Sequence, residues 1–87
     1  MKLNAYSIFD KAVNAYMRPF FMQTDGQALR AFSDQVMDGE SPPAMHPEDY
    51  ALFRIGGFDE DTGMLEPSEP KVIGRAHEMQ AAKRSTK

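Results

Sequence analysis

Pro19–Glu40 reads PFFMQTDGQALRAFSDQVMDGE, and this stretch decides the fold, because it specifies a helix at both ends and along one face. Thr24 precedes Gln27 by three residues, the spacing at which each side chain can satisfy the other's free backbone N–H. Asp25 places negative charge in the first turn, where the helix dipole favours it. Leu29, Phe32 and Val36, with Ala28 and Ala31 beside them, line up as one apolar stripe. Gly39 is expected to stop the helix in a left-handed conformation. A helix with a single apolar stripe buries only one face, so a flat partner must lie under it.

On the N-terminal side, Lys2–Phe9 alternates as a strand, with Leu3, Ala5 and Phe9 on one side and Tyr6 and Ile8 on the other. Asp10–Asn14 is polar enough to turn the chain, and Ala15–Phe21 is a second extended segment that Pro19 confines to an edge or a bulge. Beyond the helix, Ser41-Pro42-Pro43 is expected to break regular structure, and the proline of His46–Asp49 suits the start of a single helical turn. YALFRIGGF, Tyr50–Phe58, carries the strongest strand pattern. Ala51, Phe53 and Ile55 point one way and Tyr50, Leu52 and Arg54 the other, with Gly56-Gly57 expected to weaken or bulge the far end. Asp59–Gly63 reads as a hairpin turn and Met64-Leu65-Glu66 as the returning partner. Pro67 and Pro70 then interrupt the ladder before a last short strand at Lys71–Ala76. The expected fold class is α+β: a small antiparallel β-sheet with one main α-helix packed on one face. Residues 1–79 form one domain, and 80–87, polar and basic with nothing to bury, read as a disordered tail.

The chain has 87 residues and no cysteine, so neither disulfides nor a thiolate metal site supplements its small core. Dimerisation is an expected source of further stability. Phe20, Phe21, Met17 and Met22 offer more apolar surface than one helix stripe covers, and a two-fold dimer pairing these strands and the first one would enlarge the core. No apolar run approaches a membrane span, and MKLNAYSIFD lacks the apolar region of a secretory signal. The expected location is cytoplasmic, with no membrane partner. The net charge of −3 is unevenly spread: Asp38–Glu69 holds nine acidic residues against Arg54 alone, whereas the remainder is net basic.

Catalytic and metal-binding patterns are not met. DEDTG at Asp59–Gly63 opens like a calcium loop, but Gly63 stands where the third oxygen ligand belongs and Pro70 where the bidentate glutamate belongs. His46 and His77 have no zinc-site spacing. Gly56-Gly57 is followed by no phosphate-loop signature, and none of the serines has a nucleophile-elbow context. No enzyme activity, cofactor or metal is expected.

Binding chemistry remains. Tyr6, Tyr16 and Tyr50 fall on expected strands, and Arg18 and Arg54 share a strand face with Tyr16 and Tyr50. Tyrosine faces that stack bases, flanked by guanidinium groups that meet phosphates, are how sheets hold single-stranded nucleic acid. The competing reading is that these tyrosines half-cover the exposed side of the sheet or a dimer seam. The seven methionines also suit an adaptable protein-binding surface.

MKLNAYSIFD, PFFMQTDGQALRAFSD and HPEDYALFRIGGFDEDTGMLEP, in that order, resemble the small nonstructural protein of gokushoviruses, bacteriophages of the Microviridae with circular single-stranded DNA. The likeness covers about Met1–Pro70. It implies a nonstructural, DNA-binding protein of the host cytoplasm that helps switch viral replication towards single-strand synthesis coupled to packaging. It brings no catalytic motif and assigns no DNA-contacting residue. The alternative is an adaptor that contacts a phage or host replication protein through an acidic or methionine-rich surface.

Overall fold

A computed structural model describes residues 1–85, with side chains to residue 82. Strand β1 (Lys2–Asp10) is central. It pairs antiparallel on one edge with β4 (Tyr50–Asp59) and on the other with two short strands in succession, β2 (Ala15–Tyr16) and β3 (Phe20–Met22). Strand β5 (Leu65–Arg75) completes the sheet outside β4. The break between β2 and β3 falls at Met17–Pro19, where Pro19 has no N–H for a ladder. There the Met17 N–H still reaches the Ile8 carbonyl at 2.8 Å, and the Ser7 hydroxyl donates to the Met17 carbonyl at 2.6 Å. Both edges of β1 are thus occupied, so a dimer cannot pair through it; β2/β3 and β5 form the outer edges.

Helix α1 (Asp25–Met37) carries the expected capping box at Thr24 and Gln27 and buries Ala28, Phe32 and Val36. Its end differs from expectation. Asp38, in extended conformation, ends the helix, and the Ser41 hydroxyl donates to the Gln35 carbonyl. Gly39 does not adopt positive φ; the glycine that does is Gly63, in the hairpin turn. Ser41-Pro42-Pro43, expected to break structure, instead opens a one-turn helix α2 (Pro42–Met45), because Ser41 caps it and proline suits the first helical positions. A 3₁₀ turn follows at Pro47–Asp49.

The bulge expected near Gly56-Gly57 falls at Ile55, where the register shifts against both neighbouring strands. Gly56 is required there: a Cβ would lie 2.3 Å from the Glu66 carbonyl oxygen. Pro67 and Pro70 do not divide β5 into two strands. The strand runs through as an exposed edge and shifts register instead, Pro67 facing Gly56 and Lys71 facing Arg54.

The largest difference is at the C-terminus. Helix α3 (Ala76–Ser85) occupies most of the segment expected to be disordered; residues 86–87 of that segment lie outside the described residues. Ala76 is fully buried and Met79 packs against the core. Gln80, read as having nothing to bury, donates from its amide to the carbonyls of Val36 at 3.2 Å and Ala44 at 2.9 Å. Those oxygens belong to the last turns of α1 and α2, which have no partner within their own helices. Tyr6, Ile8 and Leu52 from the sheet, with Ala28, Phe32, Val36 and Ala76 from the helices, make one core. The fold is a five-stranded antiparallel sheet with the main helix on one face, an α+β arrangement.

Candidate functional site: the open face of the sheet

Alternation along β1 and β4 gives the two faces different fates. Tyr6, Ile8 and Leu52 point under the helices. Their neighbours Ala5, Ser7, Phe9, Ala51 and Phe53 point the other way, and no described helix packs there. Tyr16 pairs with Phe9, Phe21 with Ala5, Phe58 with Leu3 and Leu65 with Phe58, so these side chains join the same open face. The rings fall into two groups. Near the β1–β2 turn, Phe9 and Tyr16 have centroids 4.8 Å apart, and Phe53 stands edge-on at 6.2 Å from Phe9 and 5.7 Å from Tyr16. Towards the β4–β5 hairpin, Phe21 and Phe58 lie 5.6 Å apart. Tyr16 is 45 % exposed and Phe21 40 %.

The five residues singled out in the sequence do not come together. Tyr6 is fully buried and has no face to offer a base. Its hydroxyl donates to Asp25 Oδ1 at 2.6 Å and accepts from the Asn4 amide at 3.1 Å; burial, then the Asp25 bond, push its pKa up to about 12. Arg54 lies on the helix side and donates to both Asp25 oxygens, at 3.0 and 2.7 Å. The Tyr6 bond and then the Arg54 charge hold the Asp25 carboxyl below its ordinary range, against the effect of burial. Tyr6, Asp25 and Arg54 therefore clamp the first turn of α1 to β1 and β4. Tyr50 also lies on the helix side, packed against the core; burial first, and its bond with Asp10 second, raise its pKa. Tyr16 alone of the three tyrosines reaches the open face, and Arg18 follows it in the exposed loop between β2 and β3.

Phe9 and Phe53, not among the residues expected from the sequence, join Tyr16 on this face, and a phenylalanine on a strand is as ordinary a core residue as it is a stacking one. β1 itself carries no signal of which side is open, because each side has a polar residue, Asn4 on the helix side and Ser7 on the other, and Ser7 is buried with its hydroxyl on the Met17 carbonyl. Among the described residues, Lys11, two residues beyond Phe9, and Arg75, whose register partner Ala51 is also opposite Phe9, lie beside Phe9 and Phe53, and Arg18 follows Tyr16 by two residues in the chain. Lys11, Arg75 and His77 edge a depression of about 210 Å³ beside Phe9 and Phe53, which Glu48 and Asp49 also border. A second, almost wholly apolar groove of about 290 Å³ lies by Phe21, Ile55 and Leu65.

A family described as Phage ORF5 protein matches residues 3–79. Protein ORF5 of Chlamydia phage 1 is 34 % identical over 77 residues, which cover 84 % of this chain and 80 % of that protein. No solved structure matches the chain. The matched region takes in β1 from its second residue, strands β2 to β5, helices α1 and α2 and the first residues of α3, and the chain belongs to the phage ORF5 family, as a small phage nonstructural protein of the gokushovirus kind.

Proposed function

We propose that this protein acts without catalysis in viral single-stranded DNA replication, or in its coupling to packaging, by binding single-stranded DNA on the open face of its sheet. The observation that carries this reading is the trio Phe9, Tyr16 and Phe53, on the face that no described helix covers, with Lys11 and Arg75 beside it and Arg18 two residues after Tyr16 in the chain. Aromatic platforms on an open sheet accept any base, because every base has a π-face. Glu48, Asp49 and the Arg75–Glu78 pair at 3.9 Å temper the local positive charge, and the whole chain is net negative. Stacking therefore carries most of the affinity, and phosphate contacts add a smaller part. The site of action is the cytoplasm of the infected bacterium.

The test is a fluorescence-anisotropy titration of the full chain with a labelled oligothymidylate at low and moderate salt. Binding is expected at both, with a shallow salt dependence equivalent to about two or three phosphate contacts. Absence of binding at low salt overturns the proposal. It favours the second reading, an adaptor for a phage or host replication protein, which the exposed Met17 and Met64 and the acidic β4–β5 turn support.

A homodimer belongs to the same proposal. With β1 occupied on both edges, the edge available near the surplus apolar residues is β3, which carries Phe20–Met22. Pairing β3 with its two-fold copy extends the sheet and leaves both open faces free. Light scattering at micromolar concentration is expected to give twice the chain mass, and a monomer mass contradicts it.

A further inference from the structure

The open face carries a second aromatic group beyond the ring trio. Phe21 of β3 and Phe58 of β4 have centroids 5.6 Å apart, and Phe21 is 40 % exposed, close to the 45 % of Tyr16. On β1 this pair stands opposite Ala5 and Leu3, whereas the trio sits at Phe9 and Ser7. The two groups are therefore centred about four residues apart along one strand, or about 13 Å.

The strip between them is low and uncharged. Ala5 is small, Gly56 opposite it has no side chain, and Ser7 is buried with its hydroxyl on the Met17 carbonyl. On β5 the register partners that continue this face are Leu65, Pro67 and Val72. Asp59 and Glu66 belong to the other face: Asp59 pairs with Lys2 and Glu66 with Gly57, and Lys2 Nζ meets Glu66 at 3.2 Å on the helix side. Among the register-paired residues, no carboxylate stands between the trio and the pair. A phosphate backbone crossing this strip meets no like charge from them.

Two exposed ring groups on one face, a few nucleotides apart and joined by a neutral floor, match a ligand that presents flat rings at regular intervals. At the spacing of about 3.4 Å found along one strand of duplex DNA, about four steps separate the groups, and a more extended strand needs fewer. We infer that Phe21 and Phe58 form a second base-stacking platform, and that one single-stranded DNA segment runs along β1 with bases on both groups. This rests on the proposed binding of DNA by the trio. It adds the path of the strand and the shortest length that both groups can hold.

The test uses the full chain and two ligands: an oligothymidylate of eight nucleotides, which reaches both groups, and the thymidine dinucleotide, which reaches one. In the parent, the octamer is expected to shift the amide resonances of Phe21 and Phe58 together with those of Phe9 and Phe53. Phe58→Leu keeps an apolar side chain in place and removes the ring. It is expected to weaken the octamer about fivefold or more with an unchanged salt slope. Dinucleotide affinity, read at the Phe9 and Phe53 amides, should stay within twofold of the parent. Tyr16→Ala is expected to weaken both ligands. Four results overturn the inference while leaving DNA binding by the trio in place. They are octamer shifts confined to the trio, octamer affinity unchanged in Phe58→Leu, equal weakening of octamer and dinucleotide in that variant, and a dimer mass that falls to the monomer in it, which would assign the pair to a second copy. An octamer that does not bind at all overturns the proposed function and this inference together.

Discussion

Arg54 reaches across from β4 to Asp25 in the first turn of α1, its Nη1 lying 2.7 Å from one carboxylate oxygen and 3.0 Å from the other. The same carboxylate accepts the hydroxyl of the fully buried Tyr6, so three elements meet at one acid. Because Asp25 and Arg54 are each about one-third exposed, solvent screens the pair. Arg54→Ala is expected to lower stability by about 1 kcal/mol in urea unfolding, and to leave single-stranded DNA affinity within twofold. A large loss of affinity in a folded Arg54→Ala protein would return this arginine to the binding site.

The same clamp fixes the pH response. The Asp25 pKa is depressed in the folded chain, so its contribution is present above the unfolded value of about 4 and is lost as pH falls through the folded value. The stability difference between the parent and Asp25→Asn is therefore expected to be full at neutral pH and to shrink below about pH 4. The Tyr6 pKa is raised, so its contribution holds below about 10, the unfolded value, and is lost as pH rises towards about 12. Tyr6→Phe should remove that alkaline loss in a pH-resolved unfolding series.

Two glycines should respond oppositely to alanine. At Gly56 the added methyl meets the Glu66 carbonyl oxygen at 2.3 Å, and a backbone neighbour cannot move aside cheaply. Gly56→Ala is expected to cost about 1–3 kcal/mol. At Gly39 nothing lies within 4 Å and φ is not positive, so alanine fits. Gly39→Ala is expected to be neutral or to stabilise by up to about 1 kcal/mol, through the unfolded chain. Thermal melts of the two variants check both.

Gln80→Ala removes both donors that serve the Val36 and Ala44 carbonyls. The expected loss is about 1–3 kcal/mol, with faster amide exchange in α3 and the last turn of α1. Unchanged exchange there would mean that α3 is held by Ala76 and Met79 alone.

What could be read from the sequence was what is local. Thr24 and Gln27 announce their helix start over three residues, and the alternation of β1 and β4 separates Tyr6 from Phe9 and Leu52 from Phe53. What could not be read was set by distant partners. Period-two alternation says which residues share a face, not which face the helices take. Tyr6 is buried because Asp25, 19 residues away, satisfies its hydroxyl. Gln80 is ordered because its acceptors lie 44 and 36 residues back, on two different helices. The expected site residues do not share a face for the same reason: Tyr16 lies on the open face, while Tyr6, Tyr50 and Arg54 lie on the covered one.

The central claim is that the ring trio on the open face stacks bases, and paired substitutions there test it most directly. Tyr16→Ala and Phe53→Ala, titrated by anisotropy against the same labelled oligothymidylate, are expected to lose roughly fivefold to a hundredfold in affinity each. That is the equivalent of about 1–3 kcal/mol per stacked base. The slope of affinity against salt should stay that of the parent, because no phosphate contact is removed. If both folded variants bind as tightly as the parent, the open face is not where this protein holds DNA.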